Sequence, residues 1–233
     1  MRQTGEVTNR DSFLRHLSNK LGRNEKKKNV TLPRWEENPQ YDVLEGASQN
    51  ELVEVFKQAA EKVDVNVFET TIKDSGKTLR KVLQDYGESV SIRTDDERFE
   101  RCGLTPILEE YGTHVWKPNE ESIKIAEQSG VGITFSDYTL AESATVALTT
   151  SRGKGRSVSL LPKTYIALIP KSTIVPRLTQ VTDFIHTEYQ ETNDISSCIK
   201  FISGPSNSAD IELSFVVGVH GPIKVTYIVI EDY

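Results

Sequence analysis

Cysteine is nearly absent: Cys102 and Cys198 are the only two in 233 residues, and they stand far apart. No C-x-x-C occurs, so this chain alone has the ligands for neither an iron–sulfur cluster nor a zinc ribbon. In a reducing compartment the pair is expected to stay reduced. Long apolar runs are also missing, and none approaches the roughly 20 residues that span a bilayer. The opening stretch "MRQTGEVTNRDSFLRHLSNKLG" lacks the uninterrupted apolar segment of a secretory signal, so a cytoplasmic location is expected. Nor is the chain basic. Its net charge is −6, which argues against a nucleic-acid protein with a wholly basic surface though not against a local basic patch, and the Lys26-Lys27-Lys28 run ahead of Pro33 reads as a solvated linker. No H-x-x-x-H suggests a metal, no G-x-S-x-G a serine hydrolase, and no G-K-[ST] a phosphate loop.

What is present fits a soluble globular protein, with 36% hydrophobic and 27% charged residues. Phe13, Leu14, Leu17 and Leu21 share a helical face, with Thr8 or Asn9 as cap and Gly22 as stop. Polar residues up to position 47 follow, holding Trp35 and Tyr41. Residues 1–47 therefore read as a helix-and-linker arm and 48–233 as one α/β domain. From Ser48 the texture is regular. Capping boxes are expected at Ser48/Glu51 and Thr94/Glu97, and Asn119 opens a further helix. Between these helices lie strand candidates at 65–68, 89–92 and 113–116, so a largely parallel sheet flanked by helices is expected.

After Gly130 charges thin and strand-like runs dominate: 131–135, 144–150, 157–161, 165–170 and 225–230. The last two are almost continuously apolar, as strands covered on both faces must be. Residues 175–189 read as a helix with Pro176 in its first turn.

Three stretches could carry chemistry. In "FISGPSNSAD" (201–210), a strand ending at Ile202 and a helix capped by Asn207 or Ser208 would turn backbone amides toward an anion. Gly204 would permit close approach, and Ser203, Ser206 and Ser208 would offer hydroxyls. A plain capped turn, with Asp210 satisfying the amides, explains the same residues. In "FSDYTLAESATVAL" (135–148), Asp137, Glu142 and Ser143 lie between apolar runs, where acids are costly unless paired or working. A solvated turn is the alternative. In "TTSRGKGRSVS" (149–159), a turn holding Arg152, Lys154 and Arg156 with Gly153 and Gly155 could grip a phosphate or carboxylate, or simply be an exposed tip. Among the histidines, His220 stands out in the glycine-rich "GVHGP".

The segments "GITFSDYTLAESATVALTTSRGKGRSVSLLPKTYIALI" (132–169) and "ISGPSNSADIELSFVVGVHGPIKVTYIVIED" (202–232), with "NRDSFL" at 9–14, resemble the lactate utilization protein C family, built on the lactate-utilization domain. That resemblance implies a ribose-phosphate isomerase/CoA-transferase-like α/β fold with additional antiparallel strands in the C-terminal half. It implies a part in oxidising L-lactate to pyruvate in bacteria, beside sister proteins that carry the iron–sulfur cysteines. The CoA-transferase relatives use a glutamate nucleophile, for which Glu142 is the counterpart here, with no surrounding transferase motif. Glu142 and His220 are thus the catalytic candidates. Asp137, Ser143, Arg152, Arg156, Ser203, Gly204, Ser206, Ser208 and Asp210 are the ligand-binding candidates. The resemblance names no cofactor. A free-standing transferase or ligase acting on a CoA, folate or sugar-phosphate ligand is the competing reading.

Overall fold

The two most apolar runs lie side by side at the centre of a sheet, where both of their faces can be covered. In the computed structural model, which describes residues 8–23, 31, 36–87, 90–209 and 215–232, the chain divides into two units, residues 1–38 and 39–233. The first contains α1 (Arg10–Lys20), which buries none of its residues and whose N-cap Asn9 makes no side-chain capping bond. Trp35 and the lysine run at 26–28 lie outside the described residues.

In the second unit, Leu44 and Ala47 pack against the core before α2 (Gln49–Lys62) begins. Ser48 and Glu51 form the expected reciprocal cap, with Ser48 N donating to Glu51 Oε2 at 2.8 Å and Glu51 N to Ser48 Oγ at 3.3 Å. There follow β1 (Asn66–Thr71), α3 (Ile72–Tyr86), β2 (Ser91–Arg93), α4 (Arg98–Arg101), α5 (Thr105–Glu110), β3 (His114–Val115), α6 (Glu120–Gln128) and β4 (Val131–Phe135). The C-terminal half holds β5 (Tyr138–Leu140), β6 (Thr145–Thr149), α7 (Ser157–Leu160), β7 (Thr164–Pro170), β8 (Ile174–Val175), α8 (Leu178–Thr192), β9 (Ile199–Ser203), β10 (Asn207–Ala209), β11 (Phe215–Val217) and β12 (Lys224–Glu231).

Six strands form an all-parallel sheet in the order β1-β12-β7-β4-β2-β3. The period of two in β7 and β12 sorts their side chains onto two cores. Tyr165, Ala167, Ile169, Val225, Tyr227 and Val229 face α2, whose Leu52, Val53, Phe56 and Ala60 are buried against them. Ile166, Leu168, Ile228 and Ile230 face the other way, onto Leu79, Val82 and Leu83 of α3 and onto Phe99, Leu104 and Leu108. A second sheet, β8-β5-β6-β9, supplies the expected antiparallel pairs, β5 with β6 and β6 with β9. It contributes Ala144, Val146 and Leu148 to the first core.

Three local expectations give way to long-range contacts. Residues 157–161, read as a strand, form the short helix α7 instead. Its turn lies across β4 where Gly132 has no side chain: a Cβ there would meet Val158 O at 2.0 Å. The helix expected from Asn207 or Ser208 is also absent. Residues 207–209 are β10, paired with β11 in the register Asn207↔Val217. Gly204 (φ 71°) turns the chain, Ser206 N donates to Pro222 O, and Gly218 N to Ser206 O. A partner about ten residues downstream thus outweighs the local capping signal. The third is Thr94. It does not cap α4; Asp96 Oδ1 accepts the Arg98 amide at 3.0 Å instead.

Candidate functional site

Chain crossovers in a parallel sheet leave a crevice where neighbouring strands send their connections in opposite directions. Here that point lies between β2 and β4. From β2 the chain proceeds to β3 on one side, and from β4 the sheet continues through β7 on the other. The residues just past the carboxyl ends of these two strands are Thr94–Asp96 and Ser136–Asp137.

These loops hold two carboxylates and two cations in one network. Arg98 donates from Nη2 to Asp96 Oδ2 at 2.6 Å and to Asp137 Oδ1 at 2.8 Å, from Nε to Asp96 Oδ1 at 2.9 Å, and from Nη1 to Ser136 O at 2.9 Å. Its guanidinium carbon lies 4.9 Å from the centroid of the Phe135 ring. Lys154 Nζ reaches Asp137 Oδ1 at 2.8 Å and Asp96 Oδ2 at 3.3 Å. The remaining oxygen, Asp137 Oδ2, accepts from Thr149 N at 2.8 Å and Thr149 Oγ1 at 2.6 Å. The Asp96 and Asp137 side chains are 4% and 14% exposed, so this is a buried assembly rather than a surface ion pair.

The loop that delivers Lys154 is shaped by its glycines. At Gly153 a Cβ would strike Asp95 O at 2.7 Å, and at Gly155 the Trp116 ring at 2.1 Å, so both permit the backbone to lie against its neighbours. Burial alone would raise Asp96, but the bonds and charge of Arg98, helped by Lys154, hold it down at about 2. Burial likewise works to raise Asp137, and the charge and bond of Lys154, the Thr149 hydroxyl and the Arg98 charge outweigh it, leaving it below the usual carboxylate range. Both acids are therefore ionised acceptors at neutral pH, not proton donors.

Beside this network sits Lys200 of β9. Its Nζ donates to Ser159 Oγ at 2.8 Å. Burial pulls its pKa down to about 8. Lys200, Thr94, Asp137, Thr149 and Lys154 line a small cavity of about 10 Å³. Next to it, sharing Asp137 and Thr149, opens a cleft of about 460 Å³ with Thr150, Ser151, Glu188, Asp194 and Ser196 on its walls. A wider cleft of about 710 Å³ runs along β1 and α3, where Lys171 pairs with Glu231 at 3.3 Å.

The remaining candidates from the sequence fall into separate groups. Glu142 is at the far tip of the β5–β6 hairpin from Asp137, half-exposed and bonded by Arg177 Nε, while its amide donates to Pro176 O. Ser143 and Ser203 are brought together through Thr145: Ser143 Oγ lies 2.7 Å from Thr145 Oγ1, which lies 2.5 Å from Ser203 Oγ. Gly204 N donates to Tyr227 Oη at 3.1 Å. Ser208 is a ladder residue opposite Val216, and Ser206 uses its backbone to fasten the 218–222 turn. Arg152, Arg156 and His220 are exposed, and Asp210 lies outside the described residues. Among the described residues, Asp137 from these candidates joins the buried network, together with Lys154 of the basic turn.

Asp96, Arg98 and Lys200 escape the sequence reading, which took Thr94 only as a helix cap. The signals were faint: a charged run, "TDDER", directly after a strand, and a single lysine inside the apolar "CIKFIS". Among the described residues, no helix is long and apolar enough to cross a membrane.

The LUD domain family model matches residues 53–230. A protein named Lactate utilization protein C from Geobacillus sp. (strain WCH70) is 48% identical over 240 residues, covering 100% of both chains. One of the same name from Bacillus subtilis (strain 168) is 46% identical over 236 residues, covering 98% of each. Among solved structures, a DUF162 family protein from Deinococcus radiodurans has a TM-score of 0.55 at 14% identity, covering 78% of this chain and 98% of that one, a likeness of fold.

Proposed function

The chain belongs to the LUD domain family, and from that premise we propose that it serves lactate utilization, as a component of a bacterial system that oxidises L-lactate to pyruvate beside iron–sulfur partner proteins. The observation that carries this reading is full-length similarity to proteins named Lactate utilization protein C, at 48% and 46% identity in two genera. The composition agrees with a division of labour. Two separated cysteines cannot bind a four-thiolate cluster, so electrons travel through the partners and this chain contributes a binding site. In this reading the binding site lies in the crevice at the ends of β2 and β4, a position supported by the strand order and the buried charges gathered there.

The test is growth. A strain lacking this chain should fail to grow on L-lactate as sole carbon source yet grow normally on pyruvate, and the intact chain supplied in trans should restore growth. Normal growth of the deleted strain on L-lactate refutes the proposal.

A further inference from the structure

Lys200 carries an ammonium group into the crevice without a carboxylate of its own. Among the described residues its one hydrogen-bond partner is Ser159 Oγ, and that hydroxyl sends its proton to Arg156 O at 3.2 Å. The nearby carboxylates are already engaged. Both oxygens of Asp137 are taken by Arg98, Lys154 and Thr149, and Asp96 is held by Arg98. An ammonium has three N–H donors, and a buried charge needs a partner or loses its proton.

A second observation points to the same place. Thr94 is only 4% exposed, and its Oγ1 has no hydrogen-bond partner. Such a buried hydroxyl is destabilising, so native structures leave few of them unsatisfied. Thr94 and Lys200 line the same cavity of about 10 Å³. That is room for roughly one oxygen atom. A lysine with one hydrogen-bond partner and a residue whose hydroxyl has none thus line a space the size of a single acceptor.

We infer that Lys200 and Thr94 bind one oxygen of a small carboxylate, the ammonium neutralising it and the Thr94 hydroxyl donating a second hydrogen bond. A carboxylate can insert one oxygen into a cavity of this size and keep the rest of the ligand outside. Binding is coupled to a proton. The groups that set the free amine's charge are Cys198 on its own strand side, Asp137 beyond β4, and Arg156 and Lys154 on the loop before α7. A bound anion raises the pKa of the amine from about 8. At that pH the free amine is half protonated, so each carboxylate bound draws in about half a proton. Affinity is flat at lower pH and falls about tenfold per unit above it, up to the pKa of the complex.

The choice of L-lactate and pyruvate as probes rests on the lactate-utilization reading; acetate and inorganic phosphate do not depend on it. Titration calorimetry on the full chain, at pH 8 in two buffers of different ionisation enthalpy, reads binding and proton uptake together. At least one carboxylate should bind with uptake of about half a proton, and uptake should vanish at pH 6. Lys200→Met should weaken binding at least tenfold and abolish uptake, and Thr94→Val should weaken it by a smaller factor, with urea midpoints confirming that both variants fold. Unchanged binding in Lys200→Met, binding without uptake at pH 8, binding of phosphate alone, or no binding of any probe overturns the inference. Binding of acetate but of neither lactate nor pyruvate upholds the carboxylate site and detaches it from lactate utilization.

Discussion

Replacing Asp137 by Asn tests the energetic centre of the crevice with almost no change of shape. The carboxylate accepts four bonds, two of them from the cations Arg98 and Lys154. An amide keeps one acceptor oxygen, turns an NH₂ toward groups that are themselves donors, and removes the negative charge. Lys154 is then left with Asp96 at 3.3 Å as its remaining ion-pair partner. Removing one partner of a buried pair costs about 3–5 kcal/mol, chiefly because the surviving charge stays buried without compensation. Since Lys154 keeps Asp96, the lower end applies, about 3 kcal/mol. In a unit of this size that is a fall in Tm of roughly 6–12 °C. Urea unfolding gives the same quantity as a lowered midpoint at unchanged slope. The effect depends on pH with a definite sign. Asp137 and Asp96 have folded pKa values below the unfolded one, so their contribution is complete above about pH 4 and is lost as pH falls through the folded values, about 2 for Asp96. The gap between wild type and Asp137→Asn should therefore close over that acid range. A loss smaller than about 0.5 kcal/mol at pH 7, or a gap that does not narrow on acidification, refutes the claim that this ion network is buried and coupled.

Lys200 gives a slope of the same sign in an alkaline window. Its folded pKa of about 8 lies below the unfolded value of 10.5, so the unfolded chain holds more protons between those limits and stability rises with pH across them. After allowance for partial exposure the rise is on the order of 2 kcal/mol; Lys200→Met should lack it when urea midpoints at pH 7 and pH 10 are compared, and equal pH dependence in both proteins counts against a buried amine. Glycine substitutions separate backbone from side-chain neighbours. Gly132→Ala drives a Cβ into Val158 O and should cost about 3 kcal/mol by thermal unfolding. Gly76→Ala meets only the flexible end of Ile107 within α3, gains helix propensity, and should be nearly neutral; equal losses in the two variants would refute the packing of α7 against β4.

The identity of the central strands was legible because β7 and β12 are apolar at nearly every position, which a strand buried on both faces requires. Ser48 with Glu51, and Asn119 with the Ser122 amide, were legible because a cap is decided within four residues. Thr94 had the same local signature, yet Asp96 took the Arg98 amide and left the Thr94 hydroxyl buried without a partner. Residues 207–209 looked like the start of a helix and became a strand because β11 was available to pair with them. The candidate site shows the same division. Asp137 was visible as an acid between apolar runs, but its partners come from positions 98, 149 and 154, and Lys200 reaches the cavity from a strand 63 positions later.

The amino-acid sequence by itself determined the class of the fold and the absence of cluster-binding thiols, because periodicity, capping and ligand spacing are written in neighbouring residues. Only the tertiary structure decided which charges meet. Strand order is set by the packing of whole layers, and the order β4-β2 is what places the ends of two distant strands, and the residues that follow them, around one crevice.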